Sequence, residues 1–384
     1  MKVPIEYSLK GLLLYFLKLG TIGFGGPVAL VGYMEQDLME KLGWITKEEY
    51  LRGLTLAQLA PGPLAAQLAI YIGFIKGRII GATLVGVAFI LPSFIMVVLL
   101  GVLYAAYGGF FWMQALFYGI GAAAIGIMAK SAYKLTKLVI KKNYLFIAIF
   151  LFMAVVTVIT EKEIIWLFIL SGIVALLFNA ARQSKLQALR SFSPFFVLFI
   201  QSVFQTSYFS QLNKIFFYFL RASFVVFGSG LAIVPFLHGG VVLQNHWLNE
   251  KQFLDAVAVA MITPGPVVIT VGFIGYLVAG LPGAAAASLG VFLPVYLFVI
   301  LPAPYIERYS TNSHLKSFIE GVTAAATGAI TGAIVILGRH AITDYFTLAV
   351  ALGTTVILFR YKIPEPILIL AAAILGLIAF SLKG

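Results

Sequence analysis

Gln58-Leu59-Ala60-Pro61-Gly62-Pro63-Leu64-Ala65-Ala66-Gln67 and, far along the chain, Met261-Ile262-Thr263-Pro264-Gly265-Pro266-Val267-Val268-Ile269-Thr270 each set a Pro-Gly-Pro inside an apolar run. Proline removes a backbone donor and clashes with the preceding helical turn, and glycine lowers helix propensity. In hydrocarbon the freed backbone groups must find partners, so such breaks persist only where protein or a wet cavity surrounds them. One break could be a kink or a close packing contact. Two at matching places in a repeated pattern point to a site.

The repeat extends outward from these stretches. Shifting the chain by 203 residues pairs Tyr15 with Tyr218, Phe16 with Phe219, Lys18 with Arg221, Phe24-Gly25 with Phe227-Gly228, and Trp44 with Trp247. A shift of 202 then pairs Gly81 with Gly283, Pro92 with Pro294, and Gly119–Gly126 with Gly321–Gly328. Self-similarity at a near-constant offset marks a tandem repeat. Residues 1–181 form one transmembrane repeat, 182–210 a linker, and 211–384 a second repeat.

The chain is 61% hydrophobic and 10% charged, against about 25% charge in ordinary soluble domains. That excludes a soluble enzyme, a nucleic-acid-binding domain and a disordered chain. What remains is an all-α polytopic membrane protein in contact with lipid. The net charge of +12 comes from 26 Lys and Arg against 14 Asp and Glu, spread thinly among apolar runs. Lys130, Lys134, Lys137, Lys141 and Lys142 read as a loop anchor. There is no cysteine, and His238, His246, His314 and His340 lack metal-ligand spacing, so no metal, cofactor or catalytic cluster is expected. Glu35, Asp37, Glu40, Glu48 and Glu49 read as a solvated interfacial connector. The first apolar run, 9–33, exceeds a signal-peptide core and lacks a cleavage pattern.

Apolar runs fall at 9–33, 51–75, 79–106, 111–129, 143–160 and 163–181, then at 211–237, 252–279, 283–303, 317–338, 342–359 and 364–382. With the short run Phe192 to Tyr208 this gives 10–13 transmembrane segments, the broken runs either spanning or re-entering. Loop charges change sides between the halves. Lys76 and Arg78 correspond to the uncharged Ala279–Pro282, and the five lysines correspond to Arg339 alone. Conversely, Tyr107–Phe110 corresponds to a loop with Arg308 and Lys316, and Glu161–Glu163 to a turn with Arg360 and Lys362. Basic loops stay cytoplasmic, so the second half is expected to be inverted.

In inverted-repeat transporters broken helices mark the substrate site, with half-helix N-termini aimed at anions. The expected site therefore comprises Gly25, Gly26, Pro61, Gly62, Pro63, Gly228, Ser229, Gly230, Pro264, Gly265 and Pro266. Gln58, Gln67, Thr263 and Thr270 are expected as neutral donors. Lys18 and Arg221, charges inside apolar runs, are expected as two halves of one cationic site, the alternative being interfacial anchors. Arg52 and Asp255, repeat equivalents of opposite charge, are expected at the membrane surface.

These residues are similar to the chromate ion transporter family in its long two-domain form. The resemblance rests on Phe24-Gly25-Gly26-Pro27, Gly43-Trp44 and Gln58–Pro63 followed by Gln67-Leu68-Ala69. In the second half it rests on Phe227–Gly230, Trp247-Leu248, Phe253-Leu254-Asp255, Thr263–Pro266, Phe273–Tyr276 and Phe292-Leu293-Pro294. The chain departs from the family pattern at Ser229, Leu64 and Ala65. The resemblance implies an inner-membrane secondary transporter exporting chromate, driven by an ion or voltage gradient. A carrier of sulfate or another oxyanion and a passive anion channel are the alternatives. A homodimer is compatible with this reading.

Overall fold

The computed structural model describes residues 8–24, 26–140, 143–161, 164–182, 210–224, 226–228, 233–305, 313–361 and 363–381. The expected extra crossing, Phe192 to Tyr208, lies outside them. The first half runs α1 (Leu9–Ile22), α2 (Gly26–Met34), α3 (Lys47–Leu59), α4 (Leu64–Tyr107), α5 (Phe111–Ile140), α6 (Tyr144–Thr160) and α7 (Ile165–Arg182). The second runs α8 (Gln211–Ser223), α9 (Ile233–Leu237), α10 (Glu250–Ile262), α11 (Thr270–Ile300), α12 (Ser313–Ala341), α13 (Tyr345–Arg360) and α14 (Glu365–Ser381). This is an all-α polytopic membrane protein. Leu64–Tyr107, Phe111–Lys137, Val267–Tyr305 and Lys316–Ala341 contain stretches long and apolar enough to cross a membrane. The outer surface is apolar, with Ile80, Leu151, Val356 and Leu370 exposed. Tyr144 and Tyr345, the first residues of α6 and α13, stand almost fully exposed, as aromatic anchors at a membrane interface do.

α4 and α11 are each two antiparallel arms. In a straight helix Gly73 and Gly81 would lie about 12 Å apart. Here a Cβ on either would come within 2.4 Å of the other's carbonyl oxygen, so the chain doubles back between them. The reversal occupies Gly77 and Arg78, where the sequence suggests a short loop, and its repeat equivalent occupies Ala279 and Gly280. Gly275 and Gly283 meet across the second reversal in the same way. Lys76 Nζ lies 3.0 Å from Glu49 Oε1, tying the first reversal to the start of α3. There Thr46 and Glu49 form a capping box, which fixes where the helix begins.

The two halves are intertwined. α6 and α7 pack chiefly against α12, and their repeat equivalents α13 and α14 pack chiefly against α5. Phe146, Ile149 and Met153 of α6 and Phe168 and Ala175 of α7 bury one face against Val322, Ala325 and Ala329 of α12. Small residues let these backbones approach, as they do in membrane bundles. Gly119 lies against Ala372 and Gly376, Gly321 against Ser171 and Gly172, and Gly328 against Phe150.

Two features were hidden from sequence reading. The segments Glu35–Lys41 and His238–Gln244, again repeat equivalents, are π-helical. Asp255, expected at the surface, is 5% exposed. The capping box of Asn249 and Gln252 starts α10 early enough to carry Asp255 into its buried second turn.

Candidate functional site

α1, α3 and the first arm of α4 (residues 64–76) have 13 or 14 residues each, about 20 Å, too short for a 30 Å hydrocarbon core. Their ends meet at the breaks. The extended pair Gly62–Pro63 lies parallel to Phe227–Gly228, and the Gly62 N–H donates to the Val226 carbonyl. In the other half the Gly265 N–H donates to the Gly23 carbonyl at 2.9 Å. Gly62 and Gly265 are repeat equivalents, as are Gly23 and Val226. Each Pro-Gly-Pro is thus bound to the glycine break of the opposite half.

The contacts around the breaks repeat as well. A Cβ on Gly265 would lie 2.1 Å from Ser93 Oγ, and one on Gly62 would lie 3.0 Å from Val295 Cγ2. Ser93 and Val295 are equivalents on the long arms of α4 and α11. Ser93 Oγ also donates to the Gly20 carbonyl at 3.2 Å, satisfying the end of α1. Gly62 at φ 139° and Gly265 at φ 89° occupy backbone conformations that side-chain-bearing residues rarely adopt.

α4 starts at the first break. Pro63 stands at its cap position and provides no side-chain cap, and Leu64, Ala65 and Ala66 are all buried. Pro266 caps the 3₁₀ turn Val267–Ile269 that opens α11, likewise without a side-chain bond. The first N–H groups of a helix have no intrahelical acceptor, so each start presents donors and partial positive charge. α2 opens at Gly26, and Pro27 occupies the position where its missing N–H costs nothing.

The expected neutral donors behave differently. Gln67, fully buried, spends both Nε2 hydrogens on the Ala60 and Pro61 carbonyls at 3.2 and 2.8 Å. Its Oε1 is buried without a hydrogen-bond partner. Thr263 donates to the Val259 carbonyl and Thr270 to the Val267 carbonyl. These three side chains therefore hold the breaks in shape, and the donors left over are backbone amides. Gln58 is exposed and lies apart from this buried arrangement. Lys18 is also exposed, on the α1 face that carries Leu14 and Ile22 toward the outside, whereas Leu19 and Gly20 turn inward. Arg221 is half-buried in the last turn of α8, five residues before Val226. Gly25, Ser229 and Gly230 lie outside the described residues. Among the described residues no group of three or more His, Asp or Glu could hold a metal ion.

The profile of the chromate transporter family matches residues 10–176 and 213–377. A chromate transport protein of Cupriavidus metallidurans is 55% identical over 381 residues, 98% of this chain and 94% of that protein. A probable chromate transport protein of Synechococcus elongatus is 52% identical over 385 residues, 99% and 98% of the two chains. An uncharacterized transporter of Bacillus subtilis, YwrA, is 26% identical over 162 residues, which are 91% of its length and 41% of this one. No solved structure matches.

Proposed function

Because the chain belongs to the chromate transporter family, we propose that it carries chromate, a tetrahedral oxyanion, outward across the cytoplasmic membrane as a secondary transporter. The observation that carries the reading is the joining of the breaks through the Gly62–Val226 and Gly265–Gly23 hydrogen bonds. The anion lies against the uncapped starts of α4 and α11. Main-chain N–H groups and helix dipoles replace part of its hydration there. Arg221 supplies counter-charge, because moving a dianion into a low-dielectric cavity needs compensation. Lys18 anchors α1 at the interface. The unpartnered Gln67 Oε1 accepts a hydrogen bond from a water that accompanies the anion. With the cell interior negative, the potential favours anion export by about 2.3 kcal/mol per charge per 100 mV.

The second half is inverted relative to the first. The loop-charge asymmetry supports this, since basic loops stay cytoplasmic. The half-length Bacillus relative fits the same scheme as a single copy of the unit. In this cysteine-free chain, Gly77→Cys and Gly280→Cys place thiols at the two reversals. An impermeant thiol reagent should label them from opposite sides of the membrane. Labelling of both from one side sinks the inversion.

Counterflow tests the function. Proteoliposomes preloaded with chromate and diluted into a trace of labelled chromate should accumulate label above equilibrium before losing it. A monotonic rise to equal concentrations identifies a passive channel. An equal overshoot after sulfate preloading identifies a general oxyanion carrier.

A further inference from the structure

Asp255 is a buried carboxylate in the second turn of α10, and its repeat equivalent Arg52 lies 2.7 Å from Glu48 Oε1. Its partner comes from the other half. The Tyr104 hydroxyl, near the end of the long arm of α4, donates to Asp255 Oδ2 at 2.6 Å. The Tyr104 ring is held edge-on by Phe117 of α5 and Phe273 of α11, at 5.4 and 5.5 Å between centroids. Among the described residues no cation pairs with Asp255.

The other titratable groups on the packed elements are engaged elsewhere or lie outside, apart from the half-buried Tyr276 of α11, whose ring packs on Gly101 one turn before Tyr104. Lys251, one turn earlier on α10, is exposed and acts on Asp255 as a nearby charge without forming an ion pair. His238 is bonded through Nε2 to Glu250 at 2.9 Å, and its ring lies 6.4 Å from that of His340, which is exposed together with Arg339. Glu365 of α14 is in the field of Lys130 and Lys134.

α10 runs directly from Asp255 to the Thr263–Pro266 break, about 12 Å along its axis. The long arm of α4 runs beside it in the opposite sense. At one end Ser93 faces Gly265, and at the other Tyr104 holds Asp255. The carboxylate is therefore linked, through α10 and the long arm of α4, to the Gly265 break from which α11 and its donors start. An unpaired charge buried in a membrane protein is costly, and a dianion entering the break adds like-charge repulsion across a low-dielectric interior.

We infer that Asp255 is a proton site linked to the oxyanion site: as the anion binds at the breaks, one proton from water is taken up on the Asp255 carboxylate. Tyr104 stays bonded to Oδ2 in both states, and the incoming proton resides on the carboxyl oxygens. Linkage is reciprocal, so lower pH tightens anion binding by as much as anion binding draws in the proton. The occupied carrier then moves one net negative charge instead of two, which lowers the barrier to crossing while leaving export voltage-driven.

This inference rests on the oxyanion-carrier reading, and one experiment separates the two. Chromate is titrated into the purified protein in weakly buffered detergent solution, with a pH indicator and an independent binding readout. The wild type should take up close to one proton per chromate bound. Its affinity should rise by up to ~10-fold per pH unit lowered, across the alkaline range in which chromate itself stays a dianion. Asp255→Asn should bind chromate with no proton uptake and a flat pH profile. Tyr104→Phe, which keeps the carboxyl, and Asp255→Glu should both retain the linkage, and they cover the case of an unstable Asn variant. Binding without proton uptake in the wild type, or wild-type uptake in Asp255→Asn, overturns the inference alone. No chromate binding by the wild type overturns the carrier reading with it.

Discussion

Gly265→Ala should lower chromate transport by about 100-fold or more while leaving membrane insertion intact. The added Cβ meets Ser93 Oγ at 2.1 Å, and that hydroxyl is already committed to the Gly20 carbonyl. At φ 89° the alanine is also strained by about 1–3 kcal/mol. Relief requires the break to move, which pulls the Gly265 N–H from Gly23 and misaims the first amides of α11. Gly62→Ala should act the same way through Gln67 Nε2, 2.7 Å from its new Cβ. Gly109→Ala is the control, because nothing lies within 4 Å there. Initial rates in proteoliposomes measure the effect. Parental rates in either break variant would remove that break from the transport path.

Gly119→Ala should instead reduce stability, by about 3 kcal/mol, through overpacking. Its Cβ would lie 1.9 Å from the Ala372 carbonyl oxygen, and Gly376 leaves no room to slide α14 away. Gly121, two residues along α5, has open space at its Cβ. Gly121→Ala should be neutral or stabilising by up to about 1 kcal/mol, from helix propensity alone. Thermal unfolding in detergent distinguishes them, with opposite signs expected. Equal stability of the two variants means that α5 and α14 are not in tight contact.

Much of the architecture was legible because duplication doubles every signal. The repeat, the positions of the breaks and the run boundaries all follow from self-comparison and hydropathy. The short loop at Lys76–Arg78 was legible too, but that Arg78 itself would turn the chain at φ 51° was not, since propensity argues against it. Side-chain roles at the breaks were harder still. A glutamine beside a proline break reads as a free donor, and only coordinates reveal that Gln67 is consumed by Ala60 and Pro61. Lys18 and Arg221 align in sequence, yet one is exposed and the other half-buried. Asp255 escaped for a related reason. Its place at the edge of an apolar run resembles a surface position, and burial depends on Tyr104, 151 residues away.

The exchange of packing partners between halves also governs how the chain can be made. Synthesis delivers α6 and α7 to the bilayer long before α12, the helix they chiefly pack against, which does not begin until Ser313. Until then the glycine- and alanine-rich seam of α5 also lacks α13 and α14. α5, α6 and α7 must therefore wait in lipid without their main partners, beside an already packed α1–α4, and assembly closes only when the last helix is inserted. An arrested or truncated chain offers that open seam to any copy of the same unit nearby. By the same logic, an ancestor one unit long could have completed itself only by pairing with a second molecule.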